Sequence, residues 1–165
     1  MAENNTAEIK IGKHMCKIFI NTGTKETKNW AQIDKSTTLN IQMNPETETQ
    51  DYISMELPLE EIKQYKPMLD QEIATYRNNP IYEFMFPLFY ECKVSEAETL
   101  ICFPPTGPEG KQHAWYVEHT PLILNNADYV EGKLYWTMNF GGNIGRGTYT
   151  IDSQTGKPEY APPAA

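Results

Sequence analysis

Apolar and polar residues alternate in several stretches of the chain, and a period of two marks strands with one buried face. The cleanest stretch is 133–140, where Leu134, Trp136, Met138 and Phe140 share one parity and Tyr135, Thr137 and Asn139 the other. Residues 36–57 carry the same signal twice. Leu39, Ile41 and Met43 alternate with Thr38, Asn40 and Gln42; after a polar gap, Ile53, Met55 and Leu57 alternate with Tyr52, Ser54 and Glu56. The gap, NPETETQD over 44–51, contains Pro45, which cannot donate to a strand ladder. The spacing therefore predicts one long hairpin over 36–57 with 44–51 as its loop.

Elsewhere the pattern is shorter but of the same kind. HMCKIFI over 14–20 has the apolar and β-branched density of a strand and runs into a turn with Gly23. Residues 99–103 form an apolar run closed by PPTGP, 111–124 set Trp115 and Val117 against Tyr116 and Glu118, and 147–151 follow Gly141-Gly142 as a last strand. Residues 59–77 are ambiguous: Glu60, Glu61, Lys63 and Lys66 permit a helical turn between Pro58 and Pro67, and 69–76 fit strand or helix. Asn79-Pro80 reads as an N-cap followed by a first-turn proline, with Ile81, Phe84 and Leu88 at helical spacing behind it. Pro87, at a cost of roughly 3 kcal/mol inside a helix, is expected to end or kink it. About seven strands and one helix predict a mainly β fold, a sandwich or small barrel with one flanking helix and a long hairpin. The domain is expected over 13–152, after a loose arm at 1–12 and before a Pro- and Ala-rich flexible tail at 153–165.

Composition narrows the function. A chain of 165 residues favours one domain. The formal charge of −8, from 22 acids and 14 bases with no basic run, disfavours gripping nucleic acid or an anionic membrane. The N-terminal residues are polar and lack the pattern of a secretory signal, and no run of 18 apolar residues predicts a membrane span. Cys16, Cys92 and Cys102 are odd in number and far apart, without metal-ligand spacing or a disulfide framework, as expected of reduced thiols in a protein folded in a cytosol.

No catalytic constellation emerges. The histidines are 14, 113 and 119; His113 and His119 share a strand parity but stand about 20 Å apart along it, too far to hold one metal. Gly107-x-x-Gly110-Lys111 has the wrong spacing for a phosphate loop, and Gly141-Gly142-x-x-Gly145 leads into more β sequence, so both read as turn glycines. Serines 36, 54, 95 and 153 lack nucleophile-elbow surroundings. Residues 46–61 hold six acids and no base, but nothing singles out a catalytic pair of carboxylates from a solvated face. Trp30, Trp115 and Trp136 fit core or interface packing better than a sugar platform. The chain is expected to be no enzyme and to need no cofactor or metal.

One ordered set of fragments carries a family pattern: KSTTL from Lys35, NPETETQDYI from Asn44, LEEIKQYKP from Leu59, 76–80, Tyr82-Glu-Phe84, then Asn139-Phe-Gly-Gly142 and Arg146-Gly147. In this order they resemble the tail tube (major tail) proteins of siphophages and prophages of Gram-positive bacteria, over residues 28–152. The resemblance implies a β-barrel or sandwich with a flanking helix, whose copies form sixfold rings that stack into a tube. It implies a tape measure protein inside the lumen, tail terminator and tail-tip proteins as partners, and DNA passing through without specific binding. The tube would belong to the virion tail and be assembled in the host bacterial cytoplasm.

On that reading Asn44, Pro45, Glu46, Thr47, Glu48 and Thr49 are candidates for contact between subunits. Asp51, Glu56, Glu60, Glu61, Glu118 and Asp128 are candidates for an acidic lumen wall, where like charge discourages phosphate adsorption; Glu46 and Glu48 share that candidacy. The alternative is a monomeric β-sandwich binding module, a carbohydrate- or receptor-binding virion accessory protein with Trp115 and Trp136 as its platform. A small hydrolase built on the acidic stretch is a third reading.

Overall fold

The computed structural model describes residues 7–36 and 39–163. The first half of the expected arm, Thr38 of the expected hairpin, Thr37 of the KSTTL fragment and the last two residues lie outside the described residues.

Eleven strands, one α-helix and one short 3-10 helix, Lys13–Met15, at the start of the strand expected over 14–20, are formed among the described residues: β1 Lys17–Asn21, β2 Trp30–Gln32, β3 Ile41–Gln42, β4 Pro45–Gln50, β5 Leu59–Tyr65, β6 Met68–Ala74, α1 Pro80–Tyr90, β7 Ser95–Cys102, β8 His113–Asp128, β9 Lys133–Asn139, β10 Ile144–Ile151 and β11 Pro158–Ala161. The fold is mainly β, as the alternation predicts. Strands run β2-β1-β7-β8-β9-β6-β3 in one antiparallel sheet, with β10 and β11 branching from β8, while β4 and β5 pair only with each other.

The long strand β8 organises the sheet. Its first part lies between β7 and β10, pairing Trp115 with Ile101 and with Arg146; its last part pairs with β9, Leu124 opposite Trp136. Register shifts between Ala97 and Thr99 and between Leu124 and Asn126 bend it, as bulges do. The bend wraps the sheet around two cores. On one side Ile18, Ile20, Ile101, Val117 and Leu134, Trp136, Met138 and Phe140 meet Ile81, Met85 and Leu88 of α1. On the other side Phe19, Leu100, Cys102, Ala114 and Tyr149 pack together. Strands β1 and β7 are thus buried on both faces, which is why Ile18-Phe-Ile20 and Leu100-Ile-Cys102 are continuous apolar runs.

The helix begins where the sequence places it. Asn79 Oδ1 accepts from the backbone N–H groups of Ile81 and Tyr82, at 3.1 and 3.2 Å, and Asn79 Nδ2 donates to Asp34. Pro87 does not end it; α1 continues to Tyr90. Both Pro87 and Glu83, whose carbonyl loses its partner, are exposed, so water replaces the missing bond. The helix ends instead at Cys92, with φ 51, and Lys93 N–H returns to Leu88 O.

Residues 59–77 resolve into β5 and β6, with no helical turn. Residues 153–165, expected as a flexible tail, contain β11, which pairs along β10 from Thr148↔Ala161 to Ile151↔Pro158. Side chains hold it there. Tyr160 stacks on Tyr116 with ring centroids 5.2 Å apart, and Lys157 Nζ donates to Trp30 O and Asn29 Oδ1. Gly147 lets β11 approach, since a Cβ there would collide with the Ala161 carbonyl and the Tyr160 ring.

Beneath this stack lies Glu98, a buried carboxylate. Its Oε2 accepts from Tyr116 OH at 2.8 Å and Asn21 Nδ2 at 3.4 Å, and Lys28 Nζ stands 3.3 Å away. Lys28 donates to Tyr116 OH at 2.7 Å, and the hydrogen bonds to Tyr116 and Glu98 raise its pKa. Replacing Glu98 with Ala leaves two donors without their buried acceptor and is expected to cost about 1–3 kcal/mol. The half-exposed Lys28, replaced by Met, should cost less than 1 kcal/mol. Urea unfolding of the two variants checks the order; equal losses would show that the cation, and not the buried acceptor network, holds the corner.

Candidate assembly surfaces

The hairpin formed by β4 and β5 stands away from the sheet. Its register runs from Pro45↔Tyr65 to Gln50↔Leu59, with a shift between Glu46 and Thr47. Residues 43–66 are all exposed save half-buried Gln50. This corrects the expected hairpin. The segment 44–51 is a strand after Asn44, not a loop, and 53–57 is the tip, not a strand. The reason is that β3 pairs with β6, Ile41↔Leu69, so the chain must leave the sheet at Met43 and return at Lys66. Asn44 makes the exit in the left-handed region, with φ 44, and Met43 O accepts from Lys66 N–H at 2.9 Å.

Of the candidate contact residues, Asn44 therefore sits at the hairpin root, donating from Nδ2 to Lys66 O, while Pro45, Glu46, Thr47, Glu48 and Thr49 line one strand of the arm. Glu46 accepts from Gln64 and pairs with Lys66 at 3.4 Å; the Gln64 hydrogen bond, then Lys66, hold its carboxyl below the usual carboxylate range. Glu48 pairs with Lys63 at 2.9 Å.

The candidate acids do not share one face. Across the arm Thr49 opposes Glu60, and Glu48 opposes Glu61, and alternation puts these two pairs on opposite sides. Asp51 and Glu56 belong to the tip, exposed. Glu118 is exposed on β8, remote in sequence from the arm, and Asp128 Oδ1 accepts from Val130 and Glu131 N–H, capping the β8–β9 turn. His119 lies beside Glu96 at 2.9 Å on the same strand as His113. No three His, Cys, Asp or Glu side chains cluster to hold a metal among the described residues.

Apolar side chains crowd the arm without a core beneath them: Tyr52, Ile53, Met55, Leu57, Ile62 and Tyr65 are exposed, Ile53 completely. An isolated two-stranded hairpin is marginal in water, and an apolar one invites a partner. At its root a groove of about 1040 Å³ runs between the arm and the sheet, floored by Met68, Trp115, Phe140 and Ile144 and rimmed by Lys66 and Arg146.

A second apolar surface went unread in the sequence. The outer side of α1 is aromatic: Phe86 lies 5.9 Å from Tyr82, 6.4 Å from Phe89 and 5.7 Å from Tyr90, and Phe89 meets Tyr129 at 6.5 Å. The Tyr82 and Tyr129 hydroxyls are 3.1 Å apart, and that hydrogen bond, with burial, pushes Tyr82 up to about 12. Next to it opens a cleft of about 440 Å³ lined by Leu88, Phe89, Cys92, Leu122, Ile123 and Leu124. The signal is a second stripe, Tyr82, Phe86, Phe89 and Tyr90, beside the buried stripe of Ile81, Met85 and Leu88.

Trp136 is wholly buried, so it cannot form a sugar platform with Trp115, which packs edge-on against Phe103 at 5.1 Å. Cys102 is buried, which pushes its thiol up to about 12, and among the described residues no helix is long and apolar enough to cross a membrane.

No family model matches the sequence, and no curated protein matches it. Among solved structures, a chain in the tail of an empty GTA particle, refined helically with C6 symmetry, shares the fold at a TM-score of 0.53 and 12% identity, over 82% of this chain and 97% of that one. A chain in the sixfold-symmetrised baseplate of the anti-feeding prophage overlaps at 0.48 and 11% identity, over 85% and 97%. The fold assignment rests on the first: this chain has the tail-tube-like β fold of a GTA tail subunit.

Proposed function

We propose that the chain is a non-catalytic building block of a phage tail tube, self-assembling into sixfold rings that stack around a lumen for DNA. The observation that carries this reading is an apolar hairpin left unburied on a fold that recurs in a C6-symmetric tail. A monomer has no use for such an arm, whereas a repeating assembly buries it in every copy. The net charge of −8 fits a channel that lets phosphates pass. On this reading a tape measure protein fills the lumen before ejection, and tail terminator and tail-tip proteins close the ends. The assembly sits in the virion tail and forms in the host bacterial cytoplasm.

On this reading the lumen candidates differ in how much charge they would present. Glu46 and Glu48 are partly neutralised by Lys66 and Lys63, and Asp128 is engaged in its turn. Some of the acids Asp51, Glu56, Glu60, Glu61 and Glu118, which lie on different faces, carry the proposal. Electron microscopy of the purified chain tests the whole reading: rings or tubes are expected at high concentration. A compact monomer across all concentrations and salts rejects it, and a net basic inner wall rejects the charge argument alone.

A further inference from the structure

We infer that the hairpin tip of one copy docks into the cleft beside α1 of a second copy, head to tail; this rests on the self-assembly reading and names its contact. The tip, residues 51–58, projects Ile53 and Leu57, wholly and about three-quarters exposed, with Tyr52 and Met55 beside them. The cleft has an apolar floor and a volume of about 440 Å³, space for a pair of aliphatic side chains. Tyr90, Val94, Tyr129 and Val130 extend its apolar surroundings, Val94 and Val130 being almost fully exposed.

Charge favours a second copy of this chain as the occupant. Residues 51–61, the tip and the strand start beside it, carry Asp51, Glu56, Glu60 and Glu61 and no base. Among the cleft's lining residues the single charge is Lys93, which shares the lining with Asn125 and Asn126, and one acid, Glu91, stands two residues before it in the chain.

Strand register favours the head-to-tail arrangement. The arm leaves the sheet where Met68 pairs with Asn139, at one end of β9. The cleft lies on the other side of β9, along β8 from Leu122↔Met138 to Asn126↔Tyr135, and its aromatic surroundings continue to the β8–β9 turn with Tyr129 and Val130. Two different surfaces of one chain make a heterologous contact, which propagates into a ring or filament and does not stop at a dimer.

Native Cys92 lies in the cleft and is exposed, so it serves as the probe. In an Ile53→Cys variant, or Leu57→Cys should the first residue sit off-line, mild oxidation is expected to give a disulfide-linked ladder extending beyond dimer. The ladder should vanish when Cys92→Ser is added. Dimers that survive Cys92→Ser would mean tip-to-tip contact and overturn the inference. Tubes seen by microscopy without a ladder from either variant would overturn it while leaving the assembly reading standing; a chain that neither assembles nor cross-links would overturn both. Independently, Leu57→Asp and Val94→Asp should each weaken self-association roughly hundredfold. Mixed in equal amounts they should form a complex that stops at one copy of each, because a single intact tip and a single intact cleft remain. Continued growth of the mixture would refute the pairing.

Discussion

Replacing residues 45–65 by a single glycine should leave a folded chain that no longer self-associates. The excision is local because the hairpin closes on itself at its root. Asn44 already holds a positive φ, and Met43 O already accepts from Lys66 N–H. A Met43-Asn44-Gly-Lys66 turn therefore reproduces the two-residue connection that suits a right-twisted strand pair, and β3 and β6 keep their register. The removed residues are all exposed save half-buried Gln50, so little core is lost. The melting temperature is expected to shift by no more than a few degrees, in line with surface changes of about 0.5 kcal/mol each way. Assembly should respond far more. Burying Ile53 and Leu57 is worth about 1.5–3 kcal/mol apiece, so losing both weakens each contact by roughly a hundredfold to more than a thousandfold. Circular dichroism melts and sedimentation across concentration measure the two effects separately. Normal tubes from the excised chain would remove the arm from the mechanism, and a chain that failed to fold would show that the arm supports the sheet despite its exposure.

The same arm shows what the sequence could and could not convey. Its existence was legible: two alternating segments around Pro45 announce a long hairpin. Its register was not, because alternation locates a strand only when one face is buried. In the arm both faces are exposed, so polar PETETQ reads as loop while Ile53, Met55 and Leu57, which sit on the tip, imitate a buried face. The strand expected over 133–140 is legible to within one residue, β9 being Lys133–Asn139, because Leu134, Trp136, Met138 and Phe140 do enter the core. The start of α1 was legible through Asn79 and Pro80, whose chemistry is local. Its end, expected as a stop or kink near Pro87, falls three residues later at Tyr90. Strand β11 escaped notice because tertiary contacts hold it, Tyr160 on Tyr116 and Lys157 on Trp30 O, and no local pattern encodes them. The aromatic side of α1 was overlooked for a related reason. Catalytic chemistry is written in titratable groups, whereas a surface that could meet another copy is written in exposed Phe, Tyr and Val.

Replacing Trp136 with Ala should cost about 3–5 kcal/mol, the range for truncating a buried large aromatic, and lower the melting temperature by roughly 10 °C. Trp136 has no exposed surface and lies in the main core between Gln71 of β6 and Leu124 of β8. Its indole Nε1–H has no hydrogen-bond partner among the described residues. The ring is therefore held by packing alone, in a place where an unpaired donor is already a cost. That predicts an asymmetry between two substitutions. Trp136→Phe removes the orphan donor together with part of the volume, so relief of the donor offsets some of the cavity, and the loss should be about 1–2 kcal/mol. Trp115→Ala acts at a half-buried ring on the rim of the root groove, edge-on to Phe103, and should fall below Trp136→Ala by at least about 1 kcal/mol. A sugar-binding platform would behave in the opposite way, with both tryptophans dispensable for folding and required for affinity. Urea denaturation of the three variants, with a glycan array on the native chain, separates the cases. Stable folding of Trp136→Ala with loss of a glycan signal would overturn the core assignment of this residue and restore the binding-module reading.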